Sequence, residues 1–251
     1  MMKITMPVQP IETLNANAVI AVDMVLFTVR PAERMADMWQ VLLVQTADPA
    51  KAGKWALPGV LVRDDETFGQ AARRAVRDKA GLDARDWYLE QLGSFGDPGR
   101  DTRGRVVSVA HVALVRSDEL ALAPSGDVLL AEWRPVSRVE PEELAFDHGE
   151  ILRSGVGRLR SKLRYSWVAF QLLPDEFTIP ELRAVYAAIL DPDVQRLNTS
   201  NFRKAFAALF ESGAIVPTGK RTERGRVGRP ADLYRFSGPV EGTRSRELPW
   251  R

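Results

Sequence analysis

The spacing of apolar residues changes near residue 140 of this chain, from a strand-like to a helix-like pattern. Before that point, runs rich in Val, Ile and Leu alternate with turn-forming residues, which is typical of buried β-strands. After it, apolar residues recur at intervals of three and four, which is typical of amphipathic helices. The change predicts two structural units and an α+β fold, with a boundary between residues 140 and 165.

The first unit is predicted to be a mixed sheet with one central helix. Its strands are expected at Ala18–Val29, Trp39–Thr46, Trp87–Phe95, Arg105–Val115 and Val128–Val136. The helix is expected over Thr67–Ala80, ended by Gly81, because glycine readily adopts the left-handed conformation that closes helices. We divide the chain into an irregular lead-in (1–14), this domain (15–145), a second domain with its connecting helix (146–236) and a tail (237–251).

The second unit is predicted to contain helices followed by a two-stranded hairpin. A connecting helix is expected over Asp147–Leu163, with Asp147 as its N-cap, and a short apolar segment over Ser166–Leu173. Thr178 and Glu181 have the spacing of a capping box and open the next helix. Another helix begins near Asn198–Ser200 and places Phe202, Phe206, Leu209 and Phe210 inward. Strands Ile215–Thr218 and Asp232–Phe236 then flank a basic loop.

Charge differs between the two units. Residues 1–150 carry 17 Lys and Arg against 23 Asp and Glu, whereas residues 151–251 carry 18 against 10. The basic half favours a polyanionic partner, nucleic acid first. The alternative is an ordinary solvated surface, since the excess is moderate.

Several classes of protein are disfavoured by the sequence. The chain has no cysteine, which excludes a disulfide scaffold, a thiolate zinc site and a cysteine nucleophile, and which fits the cytoplasm. The longest apolar stretch, Ala18–Phe27, is too short for a membrane helix and contains Asp23. Residues 1–10 lack the apolar region of a secretory signal. Neither a Ser/His/Asp set nor a phosphate-binding loop is evident, and His111 is expected to be a core residue.

Residues 57–82 resemble the Nudix box, G-x5-E-x7-R-E-U-x-E-E-x-G-U, where U is apolar. With Gly81 and Leu82 as the anchor, Glu66, Arg74 and Val76 fall on matching positions. The opening glycine is replaced by Val60. The three helix carboxylates expected after the arginine become Ala75, Asp78 and Lys79.

These replacements bear directly on chemistry. Nudix hydrolases cleave diphosphates with Mg²⁺ held by carboxylates on one helix face, and magnesium requires oxygen ligands. Here one carboxylate remains, and Lys79 would repel a dication or meet a phosphate itself. We therefore expect no metal site, no catalytic residue and no required cofactor. Glu66 and Arg74 are expected to pair structurally. A chance match in an unrelated α/β domain is the alternative.

Other residues of the first domain are candidates for binding a ligand. The loop Gly96–Arg105 contains arginines suited to bidentate grip of a diphosphate, or else is a solvated hairpin loop. Trp55 can stack on a base, although a tryptophan beside a strand is commonly core. The full set of ligand-binding candidates is Trp55, Arg63, Glu66, Arg74, Asp78, Lys79, Arg100 and Arg103.

The order helix, turn, helix and basic hairpin in the second unit is typical of a winged helix-turn-helix. In such modules the second helix enters the major groove and the hairpin contacts the DNA backbone. The DNA-binding candidates are Thr199, Ser200, Asn201, Arg203, Lys204, Lys220, Arg221, Arg224, Arg226 and Arg229. A small helical domain with a solvated basic hairpin is the alternative.

Together the two halves resemble the NrtR family, Nudix-related transcriptional regulators of NAD metabolism. The resemblance covers residues 15–236 and includes Gly96–Arg105, Phe146-Asp147-His148, Asn201-Phe202-Arg203, Gly228-Arg229-Pro230-Ala231 and Leu233-Tyr234-Arg235-Phe236. It implies a homodimeric repressor that binds a palindromic operator in double-stranded DNA and is released by ADP-ribose or a related NAD metabolite. Some family members retain hydrolysis, which Ala75 and Lys79 place in doubt here.

Two other functions remain open from the sequence. The first is a divergent Nudix hydrolase of nucleoside diphosphate-linked substrates that uses Glu66, Asp78 and further carboxylates. The second is an RNA-binding or scaffolding protein that uses the basic surface. No membrane partner is expected. For the regulator, the connecting helix Asp147–Leu163 is our candidate for the hinge between the domains.

Overall fold

A computed structural model describes residues 18–48, 53–118, 121–190, 202, 206–207, 209–222 and 230–238. The elements of the first unit are β1 (Val19–Val29), β2 (Trp39–Thr46), β3 (Gly59–Leu61), α1 (Phe68–Ala80), β4 (Tyr88–Phe95), β5 (Val106–Leu114) and β6 (Val128–Pro135). They are followed by α2 (His148–Leu163), α3 (Ile179–Leu190), β7 (Ile215–Arg221) and β8 (Asp232–Phe236). Short 3-10 helices lie at Met35–Asp37, Val136–Arg138, Pro141–Glu143 and Val168–Leu172.

The first unit is a mixed sheet with strand order β4-β5-β1-β2-β6. Strand β1 runs parallel to β5, with Met24 opposite His111, and antiparallel to β2, with Phe27 opposite Val41. The short strand β3 pairs with the other half of β1 and places Gly59 opposite Asp23. This pairing brings the start of the Nudix-like box against the middle of β1.

Both faces of the sheet are covered, which explains why β1 is almost continuously apolar. Met24 and Leu26 pack with Ala72 and Val76 of α1 in one buried cluster. Their neighbours belong to a second buried cluster on the other face, with α2: Val25, Phe27, Ile151 and Leu152. The helix α2, which we grouped with the second domain, therefore forms an outer layer of the sheet.

The helix α1 begins and ends where its sequence predicts. The Thr67 hydroxyl accepts from the backbone N–H of Gln70 at 3.3 Å, and the Gln70 side chain accepts from the N–H of Thr67 at 2.8 Å. At the other end Gly81 is left-handed, with φ of 70°, and its N–H donates to the carbonyl of Arg77.

The second unit is a winged helix. Thr178 and Glu181 form the predicted capping box of α3, because each backbone N–H donates to the other side chain. Tyr186 of α3 packs against the rings of Phe202 and Phe206, which belong to the following helix. The strands β7 and β8 pair antiparallel, and Phe177 exchanges backbone hydrogen bonds with Tyr234 of β8.

The structure differs from the predicted elements in three places. The strand β3 was not predicted, because three residues are too few for an alternation pattern to be visible. The apolar segment 166–173 contains a 3-10 helix, Val168–Leu172. The strand β7 continues to Arg221, beyond the predicted end at Thr218. Within the described part of the chain, no helix is both long and apolar enough to cross a membrane.

Candidate functional site

The Nudix-like box keeps the ion pair that shapes its loop. Arg74 Nε donates to Glu66 Oε2 at 2.9 Å, and its Nη2 donates to Glu66 Oε1 and to the carbonyl of Leu61 at 2.8 Å. The hydrogen bond from Arg74 lowers the pKa of Glu66 to about 2, with a further contribution from the backbone N–H of Arg63. The predicted pairing of Glu66 and Arg74 is therefore confirmed, while the side chain of Arg63 is exposed.

The helix positions that hold magnesium in Nudix hydrolases do not fit that ion here. Ala75 is fully buried in the core, and the ammonium of Lys79 is paired with Asp127. Asp78 lies 3.9 Å from Arg74 and 3.3 Å from Arg77. Among the described residues, no three His, Cys, Asp or Glu side chains come together as a metal site requires. The ammonium of Lys79 therefore pairs with a carboxylate in this structure, whereas the sequence left a phosphate open as its partner.

Arg100, the first loop arginine, lies in a buried ion-pair network. Its Nε and Nη2 donate to the two carboxylate oxygens of Asp147 at 2.7 and 2.6 Å, and Nη2 also lies 3.3 Å from Asp23. Its side chain is 4% exposed. In this conformation the guanidinium faces carboxylates, although the same planar fork matches a phosphate.

Asp147 occupies the N-cap position of α2, as predicted, but its side chain makes no capping hydrogen bond. The reason is that both of its carboxylate oxygens accept from Arg100. The expectation that Asp147 serves as a cap is therefore wrong for the side chain and correct for the position.

His148 connects the first turn of α2 to the entry of the box. The N–H of Leu57 donates to His148 Nδ1 at 2.9 Å, so the ring proton sits on Nε2, which lies 3.5 Å from Asp23 Oδ1. Burial alone raises the pKa of Asp23, but His148 and Arg100 outweigh it and hold that pKa well below its usual range. The carboxylate of Asp23 also lies against Gly59, where a Cβ would come within 2.2 Å of Oδ1.

The second loop arginine, Arg103, and the aromatic residues lie beside this network. Arg103 pairs with Asp101 at 2.7 Å and with Asp48 at 3.1 Å, and its guanidinium lies 5.4 Å from the ring centre of Phe146. Trp55 is partly buried, and the guanidinium of Arg134 covers its ring at 4.3 Å. The predicted ligand-binding residues therefore fall into two groups, one on the box and one around Arg100.

Sequence reasoning missed Asp23, Asp147 and His148 as parts of one cluster. A signal was available, because a carboxylate inside an apolar strand must find a compensating partner. The position of that partner depends on tertiary pairing, which the sequence does not supply. His111 was predicted correctly: it is buried, and its Nδ1 lies 2.9 Å from the carbonyl oxygen of Val109.

The described cations of the basic hairpin are paired with acidic side chains. Lys220 Nζ donates to both carboxylate oxygens of Glu176, at 2.9 and 3.1 Å, and Arg235 donates to the same carboxylate at 3.1 Å. Arg221 lies 3.0 Å from Asp232. Among the DNA-binding candidates, the following lie outside the described residues: Thr199, Ser200, Asn201, Arg203, Lys204, Arg224, Arg226 and Arg229.

Known families match both units in chain order. Residues 20–154 match the NUDIX domain, and residues 169–236 match the NrtR DNA-binding winged helix domain. The crystal structure of Shewanella oneidensis NrtR complexed with a 27mer DNA superposes with a TM-score of 0.69 at 31% identity, covering 86% of this chain and 93% of that chain.

Two curated relatives extend the comparison. The ADPR responsive transcriptional repressor NtrR of Acinetobacter baylyi is 33% identical over 223 residues, which is 87% of this chain and 82% of that protein. The ADP-ribose pyrophosphatase of Methanocaldococcus jannaschii is 32% identical over 114 residues, 45% of this chain and 64% of the pyrophosphatase. The two-domain match along nearly the whole sequence shows that this chain belongs to the NrtR family of Nudix-related transcriptional regulators.

Proposed function

We propose that this chain is a DNA-binding transcriptional repressor of NAD metabolism genes, released from DNA by ADP-ribose or a related NAD metabolite. The observation that carries the proposal is the joining of a winged helix to a Nudix sheet through one apolar core, which runs from Val25 of β1 to Ile215 of β7. The similarity to an ADPR responsive repressor along 87% of the chain supports the effector.

DNA binding is assigned to the second helix of the winged helix and to the hairpin. In the proposal, Asn201 and Arg203 contact base edges, Thr199, Ser200 and Lys204 serve bases or phosphates, and the hairpin cations contact the backbone. Those cations are Lys220, Arg221, Arg224, Arg226 and Arg229. The active form is a homodimer on a palindromic operator, with half-sites about one helical turn, ~10 bp, apart.

The effector is assigned to the Nudix domain. Trp55 stacks on the base, Arg63, Arg100 and Arg103 contact the diphosphate, and Glu66 with Arg74 keeps the box loop in shape. The domain is proposed to bind without hydrolysis, which is supported by the buried Ala75 and by the pairing of Lys79 with Asp127.

The alternative function is hydrolysis of a nucleoside diphosphate-linked substrate. It is favoured by the similarity to an ADP-ribose pyrophosphatase and by the carboxylates Glu66 and Asp78. Phosphate release from ADP-ribose, with Mg²⁺ or Mn²⁺ and a coupled phosphatase, tests it directly. Turnover at rates usual for enzymes would overturn the proposal of a non-catalytic domain.

The proposed function is tested by mobility shift with duplex DNA from upstream of NAD genes, with and without ADP-ribose. We expect specific binding that ADP-ribose relieves, and weaker binding with relaxed base preference for Arg203→Ala. Single-stranded DNA and RNA serve as competitors, and a preference for either would favour the RNA-binding function. An absence of specific DNA binding at low salt would overturn the proposal that this chain is a repressor.

A further inference from the structure

The segment Ala145–His148, immediately before and at the start of α2, is hydrogen-bonded to the entry of the Nudix box. The N–H of Ala145 donates to the carbonyl of Trp55 at 2.8 Å. The N–H of Leu57 donates to His148 Nδ1 at 2.9 Å. These two bonds attach the segment to both sides of Ala56, next to the tryptophan assigned to base stacking.

The same segment is also attached to the arginine loop. Asp147 holds Arg100 through two parallel hydrogen bonds of 2.7 and 2.6 Å. The ring centre of Phe146 lies 5.4 Å from that of His148 and 5.4 Å from the guanidinium of Arg103. The two loop arginines assigned to the diphosphate, Arg100 and Arg103, therefore contact two adjacent residues immediately before α2.

The backbone of the segment is strained. Phe146 has φ of 55°, and it is the one non-glycine among the described residues with a positive φ. Such a conformation costs of the order of 1–3 kcal/mol and persists where surrounding contacts determine it. The contacts that do so here are the bonds of Ala145, Asp147 and His148. Loss of one of them favours relaxation of the segment.

The far end of α2 is attached to the DNA-binding domain. Arg160 Nε donates to the carbonyl of Ile189 in α3 at 3.0 Å, and Leu159 and Leu163 lie in the core shared with α3. A packed helix moves largely as a rigid body. The helix α2 therefore connects the network around Arg100 to α3, which packs through Tyr186 on Phe202 and Phe206 of the winged helix.

We propose that Asp147 is a positioning residue for the effector response, because the effector's diphosphate displaces it from Arg100 and so releases the start of α2. The competition is between chemically equivalent partners, since a guanidinium pairs with a carboxylate and a phosphate in the same bidentate geometry. Asp147 is 17% exposed and can be rehydrated once released, while Asp23 keeps His148 as its partner. This inference rests on the proposed function and specifies its regulation.

The test is Asp147→Asn in the full chain, which keeps the shape and removes the charge that competes with phosphate. We expect ADP-ribose to bind about threefold to thirtyfold more tightly and operator DNA to bind more weakly by a similar factor. The matched control is Glu142→Gln, which breaks an exposed 2.7 Å pair between the 3-10 helix Pro141–Glu143 and Arg153 of α2 and leaves the network around Arg100 intact. We expect both affinities of this control to equal those of the wild type.

Titration calorimetry and fluorescence anisotropy measure the two affinities. Opposite shifts in Asp147→Asn support the inference. Unchanged affinities, or a parallel loss of both together with a lower melting temperature, overturn it. If ADP-ribose does not release the wild-type protein from DNA, the proposed function itself fails, and this outcome is read from the wild type alone.

Hydrogen exchange of the wild-type protein provides a second test, which does not depend on how the variant folds. The N–H groups of Glu150 and Ile151 donate to the carbonyl of Asp147 at 2.9 and 3.2 Å. We expect ADP-ribose to accelerate hydrogen exchange at these two amides. Unchanged or slower exchange in the effector complex overturns the inference.

Discussion

At the residue scale, Gly81 has two separate reasons to be glycine. Its φ of 70° is unfavourable for other L-residues, and a Cβ there would lie 2.3 Å from the backbone carbonyl oxygen of Ala123. We expect Gly81→Ala to lower the free energy of unfolding by about 2 kcal/mol or more, since left-handed strain alone costs roughly 1–2 kcal/mol. Denaturant unfolding measures the change.

The matched control for this substitution is Gly157→Ala in α2. Gly157 is exposed within a regular helix, and a Cβ there would meet no atom within 4 Å. Alanine is the better helix former by roughly 0.5–1 kcal/mol, so this variant should be more stable than the wild type. Equal effects at the two positions would contradict the assigned roles of Gly81.

The pairing of Glu66 with Arg74 predicts how the free energy of unfolding depends on pH. The pKa of Glu66 is lowered to about 2, chiefly by the hydrogen bond from Arg74. A group whose pKa is depressed in the folded state stabilises the protein above its unfolded pKa, and that stability is lost as the pH falls towards the folded pKa. The difference in unfolding free energy between wild type and Glu66→Gln should therefore be largest near neutral pH and shrink from about pH 4.5 towards pH 2. Acid titration of both proteins measures it, and a constant difference would contradict the pairing.

Residues differ in how far the sequence predicted their roles. Glu66 and Arg74 are eight positions apart on a recognisable motif, so their pairing could be predicted. Asp23, Arg100 and Asp147 are separated by 77 and 47 positions. These residues cluster because β1, a loop and α2 come together in the folded chain. Local sequence patterns do not predict such tertiary contacts.

At the element scale, two cations of the hairpin β7–β8 are held by one acidic side chain. Glu176 pairs with Lys220 and Arg235, and the hydrogen bond from Lys220 is the main cause of its lowered pKa. We expect Glu176→Gln to tighten binding to any duplex DNA by about twofold to fivefold at low salt, because both cations become available to phosphates. The effect should diminish as salt screens these exposed charges.

The control is Asp175→Asn, which removes the same charge one residue away. Asp175 pairs with Arg116 at 2.7 Å, whereas the described hairpin cations Lys220, Arg221 and Arg235 pair with Glu176 and Asp232. Binding titrations at several salt concentrations compare the two variants. An equal gain for both would show that net charge, and not the Glu176 contact, determines the effect.

Elements were predictable where a periodic pattern was long enough. The strand β1 and the helix α1 each continue for more than ten residues, and their ends agree with the predictions within a residue. The capping box at Thr178 was also predictable, because it is a local rule. The short β3 and the extension of β7 to Arg221 depend on the partner strand, β1 and β8 respectively, so pattern alone could not find them.

At the scale of the whole molecule, the two matched domains share one core. The buried cluster on the α2 face of the sheet includes Trp39 of β2, Leu163 of α2, Tyr186 of α3 and Phe206. The helix α3 also contacts β2 directly. A common core allows effector binding in one domain to bias the other, because both domains then belong to one cooperative system.

The shared core predicts that the chain unfolds in one transition, although proteins of this size commonly unfold in several. ADP-ribose at about 100 times its dissociation constant should stabilise the folded state by ~2.7 kcal/mol, which raises the single midpoint by about 5–10 °C. Leu163→Ala, which deletes a fully buried side chain, should lower that midpoint without splitting the transition. Scanning calorimetry of the wild type, the wild type with ADP-ribose and Leu163→Ala measures the three midpoints. Two transitions, of which ADP-ribose raises only one midpoint, would contradict a single cooperative unit. They would mean that the effector stabilises the Nudix domain alone. The effector response would then depend on the Ala145–His148 segment without support from the shared core.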